Sequence, residues 1–477
     1  MPKHTSMPGQ VHRVTLSPAE CSLDLGDGSE RAEYVGQDYI LSVLGRPHRT
    51  INLMFCYYPL NKGWPKRASL VFKNKGNFTW GYPYDDYVPY PGGLGGDSEA
   101  DAFQQIRDVR RHGQDATLTL TADCAISDEH IAAIARDLRP YGRTRLRLNH
   151  ECDGFWFSFN RRYSYRQVGR FFVRFAGILK REAPNVRLVS CWGHIPDYKT
   201  GFLAQEKGLA PILPVADVWS TDHYLTLHYG WPFKDCEPKD YRKTYSVTTD
   251  RKIWRQLKLT HRRFVELTGV DRGLEICEFN ADGAVGGREH QAKRTETFYR
   301  RVLREKPAFL KGITYYQFRD RARLGLERED PNDLRVGLPA PFLPVYRQLL
   351  REPYFSPREG WVRQAGASTM EWRASDDSDG LGWKISLRRK PLFLELLLGK
   401  SENLMIHAGD EWYYKKPGVE WVDVTKAARE WGTGKPFPVS IFAPPADGMN
   451  PGGADAVATK LTRPPRMRLL YEWNQPK

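Results

Sequence analysis

The chain has 477 residues, 40% of them hydrophobic and 27% charged, with a formal charge of +15 and a sequence pI near 9.4. That balance excludes a disordered chain, and the length calls for several domains or a large barrel with an accessory module. No apolar run reaches the ~18 residues of a membrane span; the best, 392–398, is short and contains Glu395.

Met1 to Val14 hold no continuous apolar stretch of the kind a secretory leader needs. A secreted or periplasmic location would require a leader trimmed ahead of this point, so the compartment is left open. The seven cysteines are odd in number and widely spaced, with no C-x-x-C pair, which argues against zinc ribbons and disulfide frameworks. Aromatic residues make up 13%, and many fall in polar, Gly/Pro-rich stretches such as 76–93, 153–165 and 223–233. Rings placed there suit flat stacking surfaces for sugars or bases.

In chain order, residues 1–48 contain three strand-like stretches (12–17, 20–26 and 38–45) that either complete a later sheet or pack beneath a barrel. From 49 to 354, short apolar strands alternate with amphipathic helices. The strands are expected at 50–58, 78–84, 115–123, 144–151, 186–193, 216–224, 273–280 and 312–318. Helices are expected at 98–113, 127–142, 164–184, 251–269 and 289–307; Ser127 and Asp128 offer cap chemistry, and Gly113 and Gly142 act as stops. Eight such units predict an α/β fold, a (β/α)8 TIM barrel. An open doubly wound sheet is disfavoured by the lack of a G-x-G-x-x-G turn after any strand. Residues 355–477 read as short alternating strands between turn clusters, the pattern of an accessory β-sandwich domain.

In such a barrel, reactive groups sit at the carboxyl ends of strands. The fourth expected strand ends in Glu151 and the seventh in Glu278. Strict alternation puts Arg147, Asn149 and Glu151 on one face, and separates Glu278 from Glu275. Two carboxylates reaching one site from opposite walls are what glycosidic cleavage needs, one protonating the leaving oxygen and one attacking or activating water. For either Glu alone, a strand-end salt bridge is the commoner role. HECDG is not H-E-x-x-H, and neither a G-x-S-x-G elbow nor a phosphate-binding P-loop occurs.

Residues 147–159, Arg-Leu-Asn-His-Glu-Cys-Asp-Gly-Phe-Trp-Phe-Ser-Phe, resemble the acid/base segment of glycoside hydrolase family 26 and its clan A relatives. There an R-x-x-H-E-x-N-G-x-W-F pattern closes the fourth barrel strand; here Asp153 stands in the Asn position. Residues 216–224, ending in Asp222 and Tyr224, resemble the sixth strand, and Ile276 to Asn280 the nucleophile strand, with Asn280 in place of Gly. Residues 315–326 resemble the closing strand, with Tyr316, Gln317 or Phe318 where the clan carries Trp. The resemblance implies a retaining β-glycosidase with Glu151 as acid/base and Glu278 as nucleophile, and no cofactor or metal.

Around this pair, Arg147 is expected to hold a carboxylate ionised, and Asn149 to bond a sugar 2-hydroxyl or to be a satisfied core amide. His150 would contact substrate or a loop, and Tyr224 and Asp222 would flank the nucleophile. Trp156, Phe157, Trp192 and Trp231 are candidate sugar platforms. Gln317 and Arg319 follow the last strand. With Arg161, Arg162, Arg321 and Lys234, Arg319 would suit a sulfated or uronate-bearing polymer. The expected partner is thus a polysaccharide or oligosaccharide, with no nucleic acid and no membrane; oligomeric state is not legible. Two other classes compete: a carbohydrate-binding protein on a barrel that has lost catalysis, and a nucleic-acid binder, which the pI favours but no motif supports.

Overall fold

The computed structural model describes residues 5–27, 34–64, 88–154, 157–192, 202–228, 245–320, 324–363, 369–400, 403–445, 459–461 and 463–471. Eight parallel strands run, in order, Ser22–Gly26, Thr50–Tyr57, Asp115–Ala122, Thr144–Leu148, Val186–Trp192, Val218–Tyr224, Leu274–Asn280 and Leu310–Tyr315. The eighth pairs with the first through Gly312 and Ser22, and the first with the second through Leu25 and Ile51, so the sheet closes on itself as a barrel. The predicted helices are present as Asp101–Arg111, Asp128–Leu138, Tyr165–Glu182, Asp250–Thr268 and Arg288–Glu305. Each buries one apolar stripe against the strands; in Tyr165–Glu182 that stripe includes Phe171, Phe172, Phe175 and Leu179. Ser164 caps this helix by accepting from the Gln167 amide, whereas Ser127 makes no side-chain cap bond.

The beginning of the chain differs from its sequence pattern. The first barrel strand is Ser22–Gly26, and residues 78–84, expected as a strand, lie outside the described residues. The substitution leaves the numbering of the later strands unchanged. Residues 38–45 look strand-like by composition yet form the helix Gln37–Leu44, ended by Gly45 at φ +77°. Ile40, Leu41 and Leu44 are buried on one side, and a helix supplies the crossover that two parallel strands require.

Two further sheets form the accessory β-sandwich. One, of six strands, is ordered 358–363, 12–17, 378–385, 437–442, 404–408 and 411–415; the other, of four, is ordered 5–6, 466–470, 393–397 and 421–423. The chain therefore starts in the sandwich and passes from residues 12–17 into the first barrel strand. Leu381, Trp383, Ile406 and Ile441 of one sheet share a core with Leu394, Leu396, Val422 and Met467 of the other. The opposite side of the six-stranded sheet carries Met405, Trp412 and Phe442, which pack with Leu41 of the crossover helix. Polar contacts tie this side to the strand-entry end of the barrel. Trp412 donates its amide to the Gly45 carbonyl at 2.9 Å, Arg351 meets Glu411 at 2.7 Å, and Arg143 pairs with Asp376.

Candidate active site

The fourth strand stops at Leu148, and the chain turns with Asn149 and Glu151 in the left-handed region, at φ +46° and +51°. That conformation costs a non-glycine residue ~1–2 kcal/mol. Local bonds offset it: the Asn149 side-chain oxygen accepts from the Ala122 amide at 2.6 Å, and its nitrogen donates to the Ala122 carbonyl at 3.2 Å. Asn160 donates to the Glu151 carbonyl at 3.3 Å. Both ends of the Asn149 amide thus bond the end of the third strand, so it acts here as the satisfied core amide rather than as a group pointing at sugar.

Arg147, fully buried, reaches across the barrel to the seventh strand and donates to Glu278 Oε1 at 2.7 Å. Its Nε donates to Thr119 Oγ1 at 2.7 Å, from the residue paired with Arg147 in the adjacent strand. Tyr224 donates to Glu278 Oε2 at 2.7 Å, so both oxygens of this carboxylate are held. Oxygens of Glu151, Asp222 and Glu278 all lie within 4.8 Å of one another. Three carboxyls at that spacing form the one group among the described residues compact enough to share a cation, but Arg147 already brings positive charge into it.

Asp222 sits 3.6 Å from Arg147 Nη1, too far for a hydrogen bond, and accepts from Cys191 Sγ at 3.1 Å. Burial, then the charge of Glu278, push its carboxyl well above the usual range against the pull of Arg147. His150 approaches Glu278 Oε1 at 3.7 Å, but burial and the neighbouring Arg147 charge push its imidazole well below its ordinary value. It is a neutral ring, and the contact is not an ion pair. Burial and then the charge of Glu278 raise the Tyr224 phenol, so it remains a donor.

A register shift lies between Ile276 and Glu278 in the pairing of the seventh strand with the sixth. This extra residue overturns the expected separation of Glu275 from Glu278. Both point into the barrel, Glu275 to Arg145 and Arg49, Glu278 to Arg147.

Other expected site residues are placed differently. Trp192 is fully buried against Phe264, centroids 5.3 Å apart, and is a packing ring rather than an open platform. Phe157, also buried, stands 4.7 Å from the His150 ring and supports it. Arg319 is bound to Glu327 at 2.9 Å and to the Arg335 carbonyl at 2.8 Å, so its fork is already engaged. Gln317 donates to Asp320 at 3.2 Å. Of the three candidates for the clan's Trp position, Tyr316 lies beside the site, its ring 6.2 Å from that of Tyr224. Arg162 bonds Asn61 at 2.8 Å, and Arg161 is exposed. Trp156, Trp231, Arg321 and Lys234 lie outside the described residues. Thr119 and Cys191 are site neighbours with no motif to reveal them; strand alternation alone marks them as possible inward residues.

Asn280, in the position of a clan glycine, links the seventh strand to the loop after the eighth. It donates to the carbonyls of Tyr316 and Leu324 and accepts from Gln291 at 3.2 Å.

Neither a family model nor a curated protein sequence matches this chain. Solved structures that it resembles include a family 39 glycoside hydrolase from Bacteroides cellulosilyticus WH2 (9% identity, TM-score 0.44, covering 92% of this chain and 96% of that one). Others are an alpha-L-arabinofuranosidase from Thermotoga maritima (10%, 0.43, 95% and 98%) and the beta-glucuronidase 2 of Bacteroides uniformis (11%, 0.40, 84% and 42%). The chain thus spans under half the length of that glucuronidase. At these scores the likeness bears on neither reaction nor substrate.

Proposed function

We propose that the chain is a retaining glycoside hydrolase of the clan A type, acting on a β-linked polysaccharide or oligosaccharide. The observation that carries this reading is the approach of Glu151 and Glu278 oxygens to within 4.8 Å at the exit ends of the fourth and seventh strands. Retaining enzymes hold their two carboxyls about 5–5.5 Å apart, whereas inverting ones leave about 6.5–9.5 Å for a water. The two groups are also chemically unequal. Glu278 accepts from Arg147 and from Tyr224, one donor on each oxygen, which suits a nucleophile; Glu151, half-buried at the mouth beside Asp222, suits an acid.

In the first step Glu278 attacks the anomeric carbon while the bond to the leaving oxygen breaks, and Glu151 gives that oxygen its proton. In the second, Glu151 takes a proton from water, the water oxygen bonds to the anomeric carbon, and Glu278 departs with its electron pair. The family 26 likeness supports the finer placement through residues 147–157 alone. An anionic substrate rests on the overall charge, since Arg319 and Arg162 already have partners.

The test is Glu278→Ala. Turnover should fall by ~10⁴–10⁶-fold with the thermal transition kept, and azide should restore cleavage of an activated glycoside with inverted product configuration. Activity close to wild type without azide would refute the assignment and favour a barrel that binds sugars without cleaving them.

A further inference from the structure

The four-stranded sheet of the sandwich lies on the side away from the barrel, because the six-stranded sheet stands between them. Its inward residues, Leu394, Leu396, Val422 and Met467, fill the sandwich core. Alternation then turns the intervening residues outward in rows set by strand register. One row is Trp421, Leu397 and Arg466; the next is Asp423, Glu395 and Arg468; a third begins with Phe393 and Leu470.

This face is unusual in composition for an accessory sheet. Trp421 is 49% exposed, and Arg466 is exposed beside it in the same row. The Arg468 guanidinium lies 4.7 Å over the Phe393 ring and pairs with Glu395 at 2.6 Å. Arg388, Arg389 and Lys390 form an exposed basic run just before the Phe393 strand, with Arg389 5.5 Å over the Tyr471 ring. Rings and cations thus alternate over this surface, and Trp421 and Phe393 stand about 13 Å apart along the strands.

We infer that the outer face of this sheet binds an anionic polysaccharide, at a site separate from the barrel mouth. The exposed cations of this face are Arg466, beside Trp421, and the run Arg388, Arg389 and Lys390, while Arg468 is held by the buried Glu395. A uronate or sulfate polymer offers charges repeated along its length to such separated cations, while the rings stack on pyranose faces. Duplex nucleic acid carries a charge every ~1.7 Å and would bring phosphates against the exposed Asp423. That carboxylate suits a partner rich in hydroxyl donors. Binding here does not depend on catalysis. It would hold the enzyme on its polymer and raise the local concentration of chain segments at the mouth.

Co-sedimentation and affinity electrophoresis of the full chain with polygalacturonate, dextran sulfate and neutral mannan test this inference. The wild type should bind the two polyanions, more weakly as salt rises. Trp421→Ala/Arg466→Ala should weaken that binding about tenfold or more at an unchanged melting temperature, and Arg388→Ala/Arg389→Ala should do so more mildly. Glu278→Ala should bind like wild type, which separates this site from the catalytic reading. Wild-type binding by the Trp421/Arg466 variant would overturn the inference, as would salt-indifferent preference for mannan. Tighter binding of duplex DNA or phosphatidylserine vesicles than of either polymer, lost in that variant, would assign the face to a different partner and also overturn it.

Discussion

The barrel interior holds two layers of charge that share the fourth and seventh strands, and they differ in how completely their charges are matched. Near the strand-entry end, Glu275 lies between Arg145 and Arg49, and Arg49 also pairs with Asp24. Two cations face two carboxylates, with Asp24, Arg145 and Glu275 buried and Arg49 partly exposed. One layer higher, Arg147 is the cation among Glu278, Asp222 and Glu151. A single guanidinium faces three carboxyls, so the upper layer is undermatched in charge. A matched buried layer resists titration, whereas an undermatched one at the barrel mouth is where proton uptake is easiest.

Glu275→Gln breaks the lower layer and should have the largest effect on stability. It leaves Arg145 buried without its counter-charge, at a cost of about 3–5 kcal/mol in the free energy of unfolding by urea. Burial alone would raise the Glu275 carboxyl, but Arg145 and Arg49 overcome it and hold it at about 2, below its ordinary 4.5. Because that value is depressed, the stability it contributes is complete above pH 4.5 and is lost as pH falls through about 2. The variant should therefore show a shallower loss of stability over that window than wild type. A cost under about 1 kcal/mol would mean the two layers are not distinguished by charge matching.

Glu151→Gln addresses the upper layer at its least constrained carboxyl. Cleavage of substrates with poor leaving groups should fall by ~10²–10⁴-fold, and of activated aryl glycosides far less, since an acid matters only when the departing oxygen needs a proton. Equal losses on both would remove Glu151 from the acid role. Tyr224→Phe should be milder, about 10–100-fold in kcat/KM, the range for one hydrogen bond to a charged group. A loss under about threefold would show that Arg147 alone positions Glu278.

Periodicity in the sequence determined the helices on the barrel's outside and seven of its strands, because burial of one helical stripe or a run of β-branched residues is a local property. It also put Glu151 and Glu278 at the exit ends of the fourth and seventh strands, although the fourth stops at Leu148 and Glu151 lies in the turn beyond it. Only the tertiary structure decided which segment completes the barrel. Ser22–Gly26 is five residues long, and its role comes from pairing on one edge with the next strand, Thr50–Tyr57, and on the other with Leu310–Tyr315 far along the chain. The same is true of the shift beside Glu278, where pairing with the sixth strand turns Glu275 inward against simple alternation. Partners were likewise invisible in sequence: Asn149 bonds Ala122, Arg319 bonds Glu327, and Trp192 packs on Phe264, each across a gap in sequence that only folding closes. Local pattern states which side a residue prefers; register and closure between distant strands decide what it meets there.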